Sequence, residues 1–115
     1  MNVDNAKSQM RKGMLEYCIM LLLSQEASYT SDIIEKLKEA NLLVVEGTLY
    51  PLLTRLKKDG LLSYEWVEST QGPPRKYYVL TPEGREILTQ LDAAWGELEN
   101  TVHNLKERHK HLLIH

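Results

Sequence analysis

The sequence has no second cysteine to pair with Cys18, no apolar run long enough to cross a bilayer, no internal repeat and no low-complexity segment. Each absence removes a class of protein. A lone cysteine excludes an intrachain disulfide, and its place in Tyr17-Cys18-Ile19-Met20-Leu21-Leu22-Leu23 marks a buried structural thiol, in keeping with a reducing cytoplasm. That run falls far short of the roughly 20 apolar residues a membrane helix needs. Arg11 and Lys12 precede it as in a signal peptide, but Glu16 intervenes and no small-x-small cleavage site follows, so no targeting segment is expected. Also missing are a nucleophile with a base and orienting acid, a glycine-rich phosphate loop and a metal triad. The expectation is a protein that is not an enzyme and carries no cofactor.

What is present suits one soluble domain. The 115 residues are 43% hydrophobic and 26% charged, far from the composition of a disordered chain. A core of this size is modest, so a partner subunit would add stability. The net charge of −2 speaks against nucleic acid only until its distribution is considered. Residues 47–80 set Arg55, Lys57, Lys58, Arg75 and Lys76 against Asp59, Glu65 and Glu68, an excess of two cations, whereas residues 81–115 carry four basic and six acidic groups. The positive charge is gathered in one stretch.

Hydrophobic spacing predicts a first helix over about residues 8–25, with Met10, Met14, Cys18, Leu21 and Leu22 on one face and residues 1–7 frayed. A second helix over about 29–40 turns Ile33, Ile34 and Leu37 inward, with Ser28 or Thr30 as N-cap. A third, over about 47–59, stops at Gly60 and carries Pro51 in its first turn, where a missing N–H has no intrahelical partner to lose. Two-residue alternation predicts strands over 61–68 and 75–80 around the stiff loop Ser69-Thr70-Gln71-Gly72-Pro73-Pro74. Thr81-Pro82-Glu83 then opens a last helix with an N-cap, a first-turn proline and a carboxylate facing the positive helix end. Its apolar residues Leu88, Leu91, Trp95, Leu98, Val102 and Leu105 alternate at spacings of three and four, continued by His109 and Leu112, as in a helix-to-helix seam. The expected fold is mainly α with an α+β wing: a winged helix-turn-helix DNA-binding domain over 1–80 and a long C-terminal dimerisation helix over 81–115.

On the third helix, Leu49, Leu52, Leu53 and Leu56 share one face, so Gly47, Pro51, Thr54 and Lys58 occupy the other. Tyr50 and Lys57 flank it on one side, Thr48 and Arg55 on the other. Hydroxyls, cations and an aromatic on one exposed helix face suit phosphates and base edges in a major groove. Arg75 and Lys76, just past the Gly72-Pro73-Pro74 tip and held by inward Tyr78 and Leu80, suit phosphate contact or a minor groove. Each feature alone is matched by a plainer account, a solvated helix face or a charged hairpin end; their adjacency favours a reader of double-stranded DNA, probed through Thr48, Tyr50, Pro51, Thr54, Arg55, Lys58, Arg75 and Lys76. The alternative is a winged-helix protein-protein interaction module without DNA binding. His103, Glu107, His111 and His115 share a four-residue spacing that can chelate zinc, but neighbouring Lys106, Arg108 and Lys110 and the chain end oppose it, so no metal is expected. His109 in the seam reads as a polar register device.

The run Gly47-Thr48-Leu49-Tyr50-Pro51-Leu52-Leu53 with Arg55-Leu56 and Gly60-Leu61, followed by Gly72-Pro73-Pro74-Arg75-Lys76-Tyr77-Tyr78 with Leu80-Thr81 and Gly84, resembles the PadR family of bacterial transcriptional regulators. These matches span about a third of the chain. The resemblance implies a winged-helix fold, homodimerisation through the C-terminal helix, and repression of genes for detoxification, efflux or phenolic-acid metabolism; two recognition helices in one dimer would read a palindromic operator. With the lone cysteine, the expected location is the cytoplasm, nucleoid-associated when bound to DNA. One departure is Tyr29-Thr30-Ser31-Asp32-Ile33, where many members carry a glycine-tyrosine pair. With one C-terminal helix the chain is similar to the short-tailed subgroup of multidrug-responsive repressors, in some of which a tryptophan on this helix stacks flat aromatic drugs between subunits. Trp95 is the matching residue. An indole at a seam can stack a planar effector or simply fill the interface, and the position suits both.

Overall fold

The computed structural model describes the backbone of residues 1–114 and the side chains of residues 1–108. The elements run α1 (Val3–Gln25), β1 (Ser28–Tyr29), α2 (Thr30–Glu39), α3 (Glu46–Lys58), β2 (Leu62–Ser69), β3 (Gly72–Leu80) and α4 (Pro82–Ile114). This is the winged-helix order with a long final helix. The expected fraying of residues 1–7 is corrected: Asn2 caps α1, its Oδ1 accepting from the Asn5 N–H at 3.1 Å, and Asp4 lies at the positive end of the helix. The inward face of α1 is corrected too. Leu15, Ile19, Met20 and Leu23 are its buried residues, Met14, Cys18, Leu21 and Leu22 are half-buried, and Met10 is exposed. A segment apolar nearly all round defines no face by itself, so the neighbours it packs against decide the inward residues.

Neither Ser28 nor Thr30 caps α2. Tyr29 takes the N-cap position, and its N–H donates to the Asp32 carboxylate at 3.3 Å. Both α2 and α3 end in the same way. The Leu61 N–H reaches back to the Leu56 carbonyl and the Gly60 N–H to Lys57, with Gly60 at φ +80; the Leu42 N–H reaches Leu37 and the Asn41 N–H Lys38, with Asn41 at φ +65. This paired bonding satisfies carbonyls at the helix end and needs a left-handed residue, supplied once by glycine and once by asparagine.

The sheet is antiparallel in the order β1-β3-β2. Across the hairpin Leu62 faces Leu80, Tyr64 faces Tyr78, Trp66 faces Lys76 and Val67 faces Arg75, with an irregularity between Val67 and Ser69. The turn is tighter than expected. It lies at Thr70-Gln71, and Pro73 and Pro74 belong to β3, tolerated because β1 pairs only with Tyr77 and Tyr78 and leaves that stretch of the second edge open.

One core joins the elements: Leu15, Ile19, Met20 and Leu23 of α1, Ile33 and Leu37 of α2, Leu49, Leu53 and Leu56 of α3, Leu62, Tyr78 and Leu80 of the hairpin, and Leu88 of α4. Thr81 fixes the direction in which α4 departs. Its Oγ1 accepts from the Gly84 N–H at 2.9 Å and lies 2.7 Å from the Gly60 carbonyl oxygen, while its own N–H donates to the Leu61 carbonyl at 3.0 Å. Ile87, Leu88 and Leu91 pack on the core, and the rest of α4 leaves the body, giving extents of 67 × 31 × 21 Å.

Candidate nucleic-acid interface

The leucines that bury one side of α3 set what the other side offers. With Leu49, Leu53 and Leu56 at 2% exposure or less and Leu52 half-buried, Thr48, Pro51, Thr54 and Lys58 face outward and Tyr50 is 46% exposed. Arg55 is exposed but pairs with the Glu16 carboxylate of α1. The helix thus presents hydroxyls, a phenol and the exposed Lys58, with one cation partly neutralised from within the chain.

The wing cations do not ride the tip, as the sequence suggested. Arg75 is exposed on β3, its guanidinium carbon 4.0 Å from the Tyr29 ring centre and its Nη2 donating to the Ser31 Oγ at 2.8 Å. The strand pairing explains the reach: β1 sets Tyr29 opposite Tyr77, their rings 4.9 Å apart, and so carries the start of α2 to the flank of the wing. Lys76 stands over Tyr64 and Trp66, its Nζ 4.6 Å and 5.4 Å from the two rings, and Lys57 of α3 is 5.1 Å from Tyr64. Each of these cations has an aromatic seat. The tighter turn at Thr70-Gln71 is what moves Arg75 and Lys76 back along the strand.

Between α2, α3 and the wing lies an open groove of about 510 Å³ whose walls include Ser31, Glu46, Tyr50, Trp66, Arg75 and Lys76. It brings Tyr50 together with both wing cations. Thr48 lines a separate cleft with Arg11, Lys12, Leu43 and Val45, and Arg55 points to α1. Of the eight candidate residues the groove therefore brings together only Tyr50, Arg75 and Lys76, and the eight do not form one cluster. Ser31, Glu46 and Trp66 were missed; a two-residue strand gives no alternation to detect, so nothing local showed that α2 would reach the wing.

The seam divides in two. Leu88, only 7% exposed, serves the chain's own core, which corrects the expectation that it faces a partner, and Leu91 is half-buried; Trp95, Leu98, Val102 and Leu105 are 39%, 59%, 49% and 58% exposed. At the branch point Tyr17 of α1 donates its hydroxyl to Asp92 Oδ1 at 2.5 Å. That hydrogen bond, and then burial, push the phenol up to about 12. Burial also raises the Cys18 thiol and the Tyr78 phenol. Among the described residues no group of three or more His, Cys, Asp or Glu could hold a metal, and no helix is long and apolar enough to cross a membrane. The side chains of His109, His111, Leu112 and His115 lie outside the described residues.

Comparison with known proteins gives a consistent result. The transcriptional regulator PadR-like family matches residues 19–90. A PadR-like transcription factor from Bacteroides fragilis is 73% identical, with 88% of this chain and 98% of that one covered at a TM-score of 0.76. A PadR-like transcriptional regulator from Bacillus cereus is 42% identical, covering 84% and 95% at 0.75. A transcriptional regulator of Mycobacterium tuberculosis is 46% identical over 59 residues, 51% of this chain and 54% of that protein.

Proposed function

Since the chain belongs to the transcriptional regulator PadR-like family, whose members are DNA-binding regulators and not enzymes, we propose that it is a homodimeric repressor. Each protomer would place α3 in a major groove, with Tyr50, Pro51, Thr54 and Lys58 toward bases and phosphates and Arg75 and Lys76 on the flanking backbone. Thr48 and Arg55, which face α1, would contribute from the flanks of α3. The observation that carries this reading is the groove uniting exposed Tyr50 of α3 with Arg75 and Lys76 of the wing.

A single reader covers one half-site, so a palindrome needs two copies held at a fixed separation. The exposed stripe of Trp95, Leu98, Val102 and Leu105 is suited to that task, since four apolar side chains at alternating three- and four-residue spacing match the contact line of paired helices. Half-sites would then lie about one turn, roughly 10 base pairs, apart. A planar aromatic or phenolic ligand stacked on Trp95 would act as inducer by favouring a dimer whose readers no longer match that spacing, which requires different affinity for the two arrangements. The protein works in the cytoplasm.

The test is recovery of bound DNA from sheared genomic fragments across a salt series. A shared two-fold motif, weakened by Arg75→Ala with Lys76→Ala, supports the reading; no enriched sequence at any salt concentration refutes it and favours a protein-binding module. For the ligand, Trp95→Ala should abolish quenching of protein fluorescence by planar aromatic compounds. Quenching that survives moves the site elsewhere, with exposed Trp66 the other indole in the chain.

A further inference from the structure

The basic residue that flanks the reading groove is not left to sample its rotamers. Arg75 lies on an exposed strand edge, where a guanidinium ordinarily moves freely, yet two residues from a different part of the chain hold it. Its guanidinium carbon sits over the Tyr29 ring, 4.0 Å from the ring centre, and Ser31 accepts from its Nη2 at 2.8 Å. Both come from the segment where β1 becomes α2, and the antiparallel pairing of Tyr29 with Tyr77 brings that segment beside β3. We infer that Tyr29 and Ser31 are positioning residues for DNA binding, pre-setting Arg75 at the mouth of the groove so that a backbone phosphate meets an already oriented cation.

The physical basis is the cost of ordering. A long, flexible side chain loses rotamer freedom when it closes on a phosphate, and a residue already fixed loses less on binding. The arrangement leaves the cation usable. One Nη2 proton is directed to Ser31 and the guanidinium carbon sits over Tyr29, but a guanidinium has five N–H donors in all, so others remain to take a phosphate oxygen. An arginine seated over an aromatic ring keeps its full charge, so the seat changes how readily Arg75 binds and not how many counterions are released.

That distinction supplies the test, which rests on the assignment of Arg75 to phosphate contact. Binding to a mixed-sequence DNA duplex is measured across a salt series for the full chain. Arg75→Ala should weaken binding about tenfold and reduce the salt slope by about 0.9, one phosphate contact. Tyr29→Leu should weaken it about fivefold with the slope unchanged, and Tyr29→Phe, which keeps the ring, should bind as the parent does. Ser31→Ala, at an exposed position, should give about a twofold loss with the fold intact. In an Arg75→Ala background neither Tyr29→Leu nor Ser31→Ala should cost anything more, because the residue they orient is gone. Equal losses in both backgrounds, or a Tyr29→Phe protein as weak as Tyr29→Leu, would overturn the positioning role and leave Tyr29 a packing residue of β1. An Arg75→Ala protein with unchanged affinity and slope would instead overturn the wing assignment, and the seat with it.

Discussion

The same substitution at two glycines of α4 should move stability in opposite directions. A Cβ at Gly84 would lie 2.2 Å from the Leu61 carbonyl oxygen and 2.7 Å from Leu80 Cδ1, whereas a Cβ at Gly96 meets nothing within 4 Å. Non-bonded heavy atoms settle at about 3.5–4.0 Å, so at Gly84 the helix or the carbonyl must retreat by about 1 Å. The leucine side chain can yield, but the carbonyl is held in place by a hydrogen bond from the Thr81 N–H at 3.0 Å. Overpacking costs about 1–3 kcal/mol, and a clash with fixed backbone belongs at the upper end. Replacing a helical glycine by alanine returns about 1 kcal/mol. Gly84→Ala should therefore lose about 2 kcal/mol net, and Gly96→Ala should gain up to about 1 kcal/mol. At about 4 °C per kcal/mol, the melting temperature falls by about 8 °C in the first case and rises by up to about 4 °C in the second. Circular dichroism melts and urea titrations at one protein concentration read both, since association would shift apparent stability with concentration. If Gly84→Ala is as stable as the parent, the close approach of α4 to the start of β2 does not set the angle at which the seam helix departs.

Three further outcomes follow from the contacts. Tyr17→Phe should cost about 1 kcal/mol near neutral pH; because the native phenol is raised to about 12 from 10.0, that deficit is fully present below pH 10 and shrinks as pH climbs to about 12, and a deficit that grows with pH would refute the assignment. Glu16→Gln frees Arg55 from its carboxylate partner and should tighten DNA binding up to about fivefold at low salt, the most that an exposed ion pair of about 1 kcal/mol allows, with unchanged binding showing that Arg55 stays off the DNA. Leu98→Glu with Val102→Glu puts two like charges four residues apart on the exposed stripe of α4 and should convert a dimer to monomers in sedimentation while leaving the far-ultraviolet spectrum nearly unchanged; a dimer that persists would place its interface elsewhere.

The sequence alone determined what depends on neighbours in the chain. Helix period and the leucines of α3 set its buried face, Gly60 set its stop, Thr81 and Pro82 set the start of α4, and the run from Gly47 to Gly84 pointed to the family. These signals are local: a cap, a turn or a helical face is fixed by residues within about four positions of one another. Tertiary structure decided what depends on which segments meet. The true inward face of α1 is chosen by its packing partners, because residues 17–23 are apolar nearly all round. Leu88 looked like seam and is core, since periodicity along α4 cannot say where the body of the protein ends. Arg75 looked like the ornament of a loop tip and is a seated residue, because a two-residue strand too short to leave a pattern brings Tyr29 and Ser31 across more than forty residues of chain to hold it.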